Sequence, residues 1–266
     1  MIPGISGDLI ATAFLEHELR LDTGAAMRPF QRKVHRWWRA VSRALGPASG
    51  VRAIADIAAT PLLTLLGHHA PVFTSSGDRM HADVDESRCA IIVVPWVEPL
   101  SSAWRYHPAR SHTRAAWLIA CNGHSLRVAD ATRPWSRAGL EFDFAALVST
   151  PQGMAALHVL LHAAATSGTG PSSLDGYRAA SDAFGIRVCR SLSDAVLAHL
   201  PQLAEALPAR AAKTARAHAA FDQSLTIIYR ILFLLFAEAR GLVPMWHEVY
   251  RDAYSIASLV DRATGR

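Results

Sequence analysis

The chain is short of several residue types that chemistry relies on. Lys33 and Lys213 are its only lysines among 27 basic residues, and Asn122 is its only asparagine. This skew towards arginine, with abundant alanine, is the mark of a GC-rich genome. The three cysteines, Cys89, Cys121 and Cys189, are odd in number and far apart, and no C-x-x-C pair occurs. That pattern excludes a disulfide framework or zinc ribbon and reads as buried free thiols in a reducing compartment. No glycine-rich phosphate loop and no nucleophile elbow is present. His68 and His69 are adjacent, so their side chains diverge instead of sharing a metal. The N-terminus lacks the basic-then-apolar order of a signal peptide, so the expected location is the cytoplasm. A membrane span needs roughly 20 consecutive apolar residues. The most hydrophobic stretch, Ile231 to Ala237, is closed by Arg230 and Glu238, and no membrane partner is expected.

What remains is a globular composition. Half of the 266 residues are hydrophobic (51%) and 18% are charged, enough apolar material for one large domain or two small ones. A net charge of +5 with a pI near 9.5 points to a polyanionic partner. Helical periodicity covers 8–22, 27–45 and 51–66, the last kinked by Pro61 and ended by Gly67. In the second of these, Val34, Trp37, Trp38, Val41 and Leu45 form an apolar face, and Arg32, Arg36, Arg39 and Arg43 form another. Short strand patterns follow at 71–75, 79–85 and 89–96. A short helix is expected at 100–106, then two strands within 115–130 joined by Asn122-Gly123, the pair that a type I′ turn prefers. "LEFDF" at 140–144 reads as an edge strand. Helices return at 152–166, 175–183 and 191–206, with 166–173 as a flexible linker. The closing helix, 226–240, is apolar on both faces, and Gly241 and Pro244 stop it. Such a helix is expected to be buried on both faces. The expected divisions are a helical segment 1–50, an α/β core 51–148 and a helical region 149–266.

Helix, three strands, helix, two strands describes an α/β (α+β) fold with a small mixed sheet and helices on both sides. It is also the element order of the PD-(D/E)XK nuclease core. Those nucleases hold Mg²⁺ through an acid on the second strand and an acid on the third, with a lysine two residues beyond. Here Asp83 and Asp85 are available on the second strand, but the third reads Val93-Val94-Pro95-Trp96. The next acid is Glu98, followed two residues later by Leu100. The sheet is therefore expected to be a degenerate, non-cleaving relative. Asp83, Asp85 and Glu98 are the only candidates for a Mg-dependent endonuclease with relocated ligands, and no metal site is expected.

Four stretches carry a more specific resemblance: "LGPASGVRAIADIAATPLLTLLG" (45–67), "IIVVPWVEPLSSAWR" (91–105), "WLIACNGHSLRVADATRPWSRAGLEFDF" (117–144) and "LTIIYRILFLLFAEARGLVPMWHEVYRDAYSIASL" (225–259). Together they resemble the N-terminal region of type IIG restriction–modification enzymes, which are adenine-specific DNA methyltransferases. Related methyltransferases serve the BREX and DISARM phage-defence systems. In the last stretch Tyr229, Arg230, Phe233, Leu234, Glu238, Gly241, Leu242, Pro244, Tyr250, Tyr254 and Ser255 keep the family's order. The family's SAM-binding domain and its Asn-Pro-Pro-Tyr motif are missing, the latter because Asn122 stands alone. The resemblance thus implies an N-terminal fragment, a truncated gene product or a split subunit, with SAM and Mg belonging to the parent enzymes only. It implies double-stranded DNA as one partner, met by Arg32, Arg36, Arg39, Arg43, Arg127, Arg133 and Arg137. It implies a methyltransferase domain or subunit as the other, docked through Phe233, Phe236, Trp246, Tyr250 and Tyr254. An interaction module with no DNA role is the alternative. Arg230 and Glu238 are expected to anchor neighbouring loops through ion pairs.

Overall fold

The computed structural model describes residues 2–84, 88–103, 115–133, 135–207, 213–239 and 242–265. Contacts divide the chain into two units, Met1–Ile186 and Arg187–Arg266. The first is mixed α/β. It opens with strand β1 (Ile5–Gly7), helix α1 (Thr12–His17), a 3-10 turn (Ala25–Met27) and the long helix α2 (Arg28–Ala44). Then come α3 (Val51–Ile54), a π-helical turn (Ala55–Ala59) and α4 (Thr60–Leu65). Strands β2 (Thr74–Ser76), β3 (Arg79–Val84) and β4 (Cys89–Val93) precede the short α5 (Leu100–Ala103). Strands β5 (Trp117–Cys121), β6 (Ser125–Asp130) and β7 (Gly139–Asp143) complete the sheet. Helices α6 (Phe144–Leu147), α7 (Pro151–Leu161) and α8 (Ala163–Ser167) lead to α9 (Leu174–Ala206), in which the division between units falls. The second unit adds α10 (Lys213–Ala239), α11 (Glu248–Ala253) and α12 (Ile256–Thr264).

The seven strands lie in the order β1-β7-β6-β5-β4-β3-β2. Only β4 and β5 run parallel; every other neighbouring pair is antiparallel. A parallel pair needs a crossover, and α5 lies on that connection. The strand alternation is strict. Cys89, Ile91, Val93, Trp117, Ile119, Leu126, Val128, Leu140 and Phe142 share one buried core with α1, α2, the α3–α4 segment and α7. Ala90, Ile92, Val94, Leu118 and Ala120 form a smaller cluster on the opposite face, with Leu100 of α5. The expected divisions at 50 and 148 therefore fall inside one packed unit.

Several local features have clear causes. Pro61 has no N–H to offer the preceding turn, and the helix widens there into the π turn Ala55–Ala59. The Ala58 carbonyl in that turn accepts the Trp37 indole N–H at 3.1 Å. Trp37 also meets Phe144 edge-on, with ring centres 4.8 Å apart, a geometry worth about 0.5–1.5 kcal/mol beyond burial alone. Thr150 caps α7 by accepting the Gly153 N–H, and Pro151 takes the first position, where no N–H is needed.

Three expectations need correction. The 115–130 hairpin forms, but its register pairs Cys121 with Leu126. The central turn residues are therefore Gly123 and His124, with Gly123 at φ +97°, the first central place that a type II′ turn gives to glycine. Asn122 flanks the turn, its side chain accepting the Ser125 N–H at 3.0 Å. Strand β7 is not an edge, because β1 pairs outside it. Helix α9 is one helix of 33 residues where two were expected.

Candidate functional site

Helix α2 places the arginine stripe as its periodicity requires. Val34, Trp37 and Val41 are buried, while Arg32, Arg36, Arg39 and Arg43 are all exposed. The helix also carries Arg28 and Lys33 and contains no acidic residue. Among the described residues, no carboxylate engages the four stripe guanidinium groups. The result is an uncompensated cationic ridge, whose planar forks suit phosphate oxygens.

The other three arginines have different surroundings. Arg127 on β6 donates to Glu141 at 3.4 Å and to the Arg137 carbonyl at 2.8 Å. Its guanidinium lies against Gly139, where an added Cβ would come within 2.5 Å of Cζ. This arginine is built into the sheet. Arg133 pairs with the buried Asp130 at 3.5 Å. Arg137 is exposed.

The two nuclease candidates among the described residues, Asp83 and Glu98, have different surroundings. Asp83 is exposed on β3, and its partner in register on β4 is Ala90. Beyond Ala90 on the same face comes Leu118, so the strands beside Asp83 offer carbon where a second carboxylate is needed. Glu98 accepts from Arg79 at 2.7 Å, both side chains being about five-sixths buried, and from Ser102 Oγ at 2.9 Å. Its charge is already compensated. Asp85 lies outside the described residues. Asp83 and Glu98 thus do not fit a divalent ion, which needs several unpaired oxygen ligands.

In the second unit, α10 is not the enclosed helix that its composition implies. Only 17% of its most apolar window is buried, and by length and composition alone Ala220–Ala239 could cross a membrane. Tyr229, Ile231, Phe233, Leu235 and Phe236 are all exposed. Tyr229, Arg230, Phe233, Leu234 and Thr226 line an open depression of about 520 Å³. Trp246 and Tyr254 are exposed as well, and Tyr250 is half-buried. Arg230 is exposed and anchors no loop through an ion pair among the described residues. Glu238 does anchor one, through hydrogen bonds: its carboxylate accepts the Ile256 N–H at 2.9 Å and the Tyr250 hydroxyl at 3.4 Å. It thereby meets the positive N-terminal end of α12. Partial desolvation, and then the Glu238 charge, raises the Tyr250 pKa. Gly241 lies outside the described residues.

Two features were not read from the sequence. One is a partly exposed ionic network around the buried Asp130, at an end of the sheet. Asp130 accepts from Arg178, which also lies 3.8 Å from Asp175 and over the Trp117 ring; Arg88 reaches Asp175 at 3.3 Å. Asp175 is thus an ion-pair partner as well as a first-turn helix residue. The other is a cavity of about 470 Å³ on the second face of the sheet, between α5 and residues 135–138. The cysteines divide: Cys89 and Cys121 are buried and Cys189 is exposed. Burial pushes the Cys121 thiol up to about 11, against a smaller lowering by the Gly123 backbone.

No protein-family model, curated protein or solved structure matches the chain.

Proposed function

We propose that the chain is a DNA-associated α/β module without cleavage activity of its own, working beside an adenine-specific DNA methyltransferase of the restriction–modification or phage-defence kind. The observation that carries the DNA role is the α2 ridge: four exposed arginines on one face of a helix that has no acid. Phosphate contacts of this kind give affinity without reading sequence, and they weaken steeply with salt. The degenerate PD-(D/E)XK reading of the sheet draws support from its three-strand meander, its crossover and its one parallel pair. The ion pair that Glu98 makes with Arg79, and the apolar neighbour of Asp83, support the non-cleaving part of the proposal. The resemblance of the closing segment supplies the methyltransferase part of the proposal.

The test is duplex binding across a salt series, comparing the wild-type chain with a variant carrying Arg32→Ala, Arg36→Ala, Arg39→Ala and Arg43→Ala. Affinity is expected to fall linearly on logarithmic axes as salt rises. The variant's slope is expected to be shallower by about 0.9 for each phosphate that it no longer neutralises. Absence of binding at low salt, or an unchanged slope in the variant, would refute the reading.

A second reading, a docking module with no DNA role, is favoured by one observation: the exposed apolar flank of α10 with Trp246 and Tyr254. On that reading a methyltransferase subunit covers Phe233 and Phe236. It predicts that Phe233→Asp with Phe236→Asp abolishes co-purification with such a subunit while duplex binding is absent throughout.

A further inference from the structure

The cavity on the second face of the sheet is walled by side chains that the ridge reading does not use. Its floor is low because β5 and β6 present Ala120 and Ala129 there, beside Leu118. All three are buried and apolar. Arg127 and Arg137 stand at the rim, and Ser101 of α5 lies across from them. Trp135 lines the cavity yet leaves 79% of its surface in solvent. No carboxylate lies among the described lining residues.

Each of these facts limits the occupant. A volume of about 470 Å³ lies within the range of small-molecule sites, roughly 300–1,000 Å³. Arg137 has no acid beside it among the described lining residues, and a cation so placed favours an anion. Arg127 is held in place by Glu141 and by the Arg137 carbonyl, so one guanidinium is fixed before any ligand arrives. Those two bonds use two of its five N–H donors. An indole left in water beside an apolar floor offers a stacking surface for a planar ring. Ser101 adds a hydroxyl for a sugar or a ring edge.

We infer that this cavity binds one nucleotide, its base against Trp135 and the alkyl floor and its phosphate at Arg137 and Arg127. The ligand comes either from the free nucleotide pool or from a single-stranded or extruded position of DNA. The site goes beyond the duplex-backbone reading. Helix α2 joins the core on the opposite face of the sheet, so the two activities are separable by mutation.

The experiment is calorimetric titration of the full 266-residue chain with each common nucleoside monophosphate, with a short oligothymidylate and with inorganic phosphate. Trp135→Ala, Arg137→Ala and Ser101→Phe, which blocks the cavity from α5, are titrated in parallel. The four-arginine α2 variant is the control. Expected are binding to the wild type, a loss of about tenfold or more in Trp135→Ala, a loss in Arg137→Ala, and retention in the α2 variant. Binding of monophosphates identifies the free pool as the source; binding of the oligonucleotide alone identifies the strand; either result upholds the site. Four results overturn it: binding to neither ligand; affinity unchanged in both Trp135→Ala and Ser101→Phe; inorganic phosphate bound as tightly as nucleotides; or oligonucleotide affinity lost only in the α2 variant. Failure of the α2 ridge in duplex binding leaves these outcomes unaffected.

Discussion

Helices α7 and α10 are both apolar around much of their circumference, yet they meet opposite environments. In α7, Met154, Ala155, Ala156, Leu157, Leu160 and Leu161 are buried, and α2 packs against the helix. In α10, Phe233, Leu235 and Phe236 face solvent, and Ser224 and Ala237 are among its few buried residues. Composition alone separates them poorly. What differs is the supply of neighbours: α7 closes over a seven-stranded sheet, whereas the regular elements described in the second unit are all helices. An apolar run is therefore a demand for cover, and the tertiary structure decides whether that demand is met.

The sharpest way to test this contrast is to truncate one leucine in each helix. Leu157→Ala is expected to lower unfolding free energy by about 2–5 kcal/mol, because it opens a cavity in a close-packed core. Leu235→Ala is expected to change it by no more than about 0.5 kcal/mol. Urea denaturation of both variants measures the difference, and equal losses would mean that α10 is enclosed in solution.

A smaller effect is expected at Glu238. Glu238→Ala removes the acceptor for the Ile256 N–H and is expected to cost about 1 kcal/mol, as the loss of a helix cap does. Faster amide exchange in α12, with α7 unchanged, is the readout. Unchanged exchange at Ile256 would show that the contact contributes nothing.

The smallest effect concerns pH. Burial first, and the neighbouring His162 second, lower the His158 pKa below its ordinary 6.5. The unfolded chain therefore takes up a proton near that value while the folded chain resists it. Stability from this source is complete above 6.5 and falls as pH drops through the folded value. His158→Phe, which keeps a ring against Phe30, is expected to flatten urea midpoints between about pH 7 and 5. A parallel decline in both proteins would assign the acid sensitivity elsewhere. Solvent screening keeps the effect small, because the ring is only half-buried.

The elements were legible wherever the local pattern is long or strict. The α2 faces follow from a 3.6-residue period over 17 residues, and the alternation of β5 and β6 follows from the pleat. Strand β1 escaped because three residues carry too little pattern, and it forms only because β7 offers an open edge. The role of Arg127 escaped for a related reason. Beside Arg133 and Arg137 in sequence it reads as one more surface cation, and only the β6–β7 register brings Glu141 and Gly139 to it. The cavity was invisible because it depends on small residues from two strands and on a loop meeting across the sheet. The apolar neighbour of Asp83, by contrast, was foreshadowed by the apolar third strand, whose register places Ala90 beside it.

By itself the sequence determined which surfaces are cationic, which segments alternate and which helix is water-averse, because these depend on residues close together along the chain. The tertiary structure alone decided which cations are held by an acid, which acids are neutralised and which apolar surface is exposed among the described residues. Those outcomes depend on distant residues being brought within hydrogen-bonding or van der Waals reach.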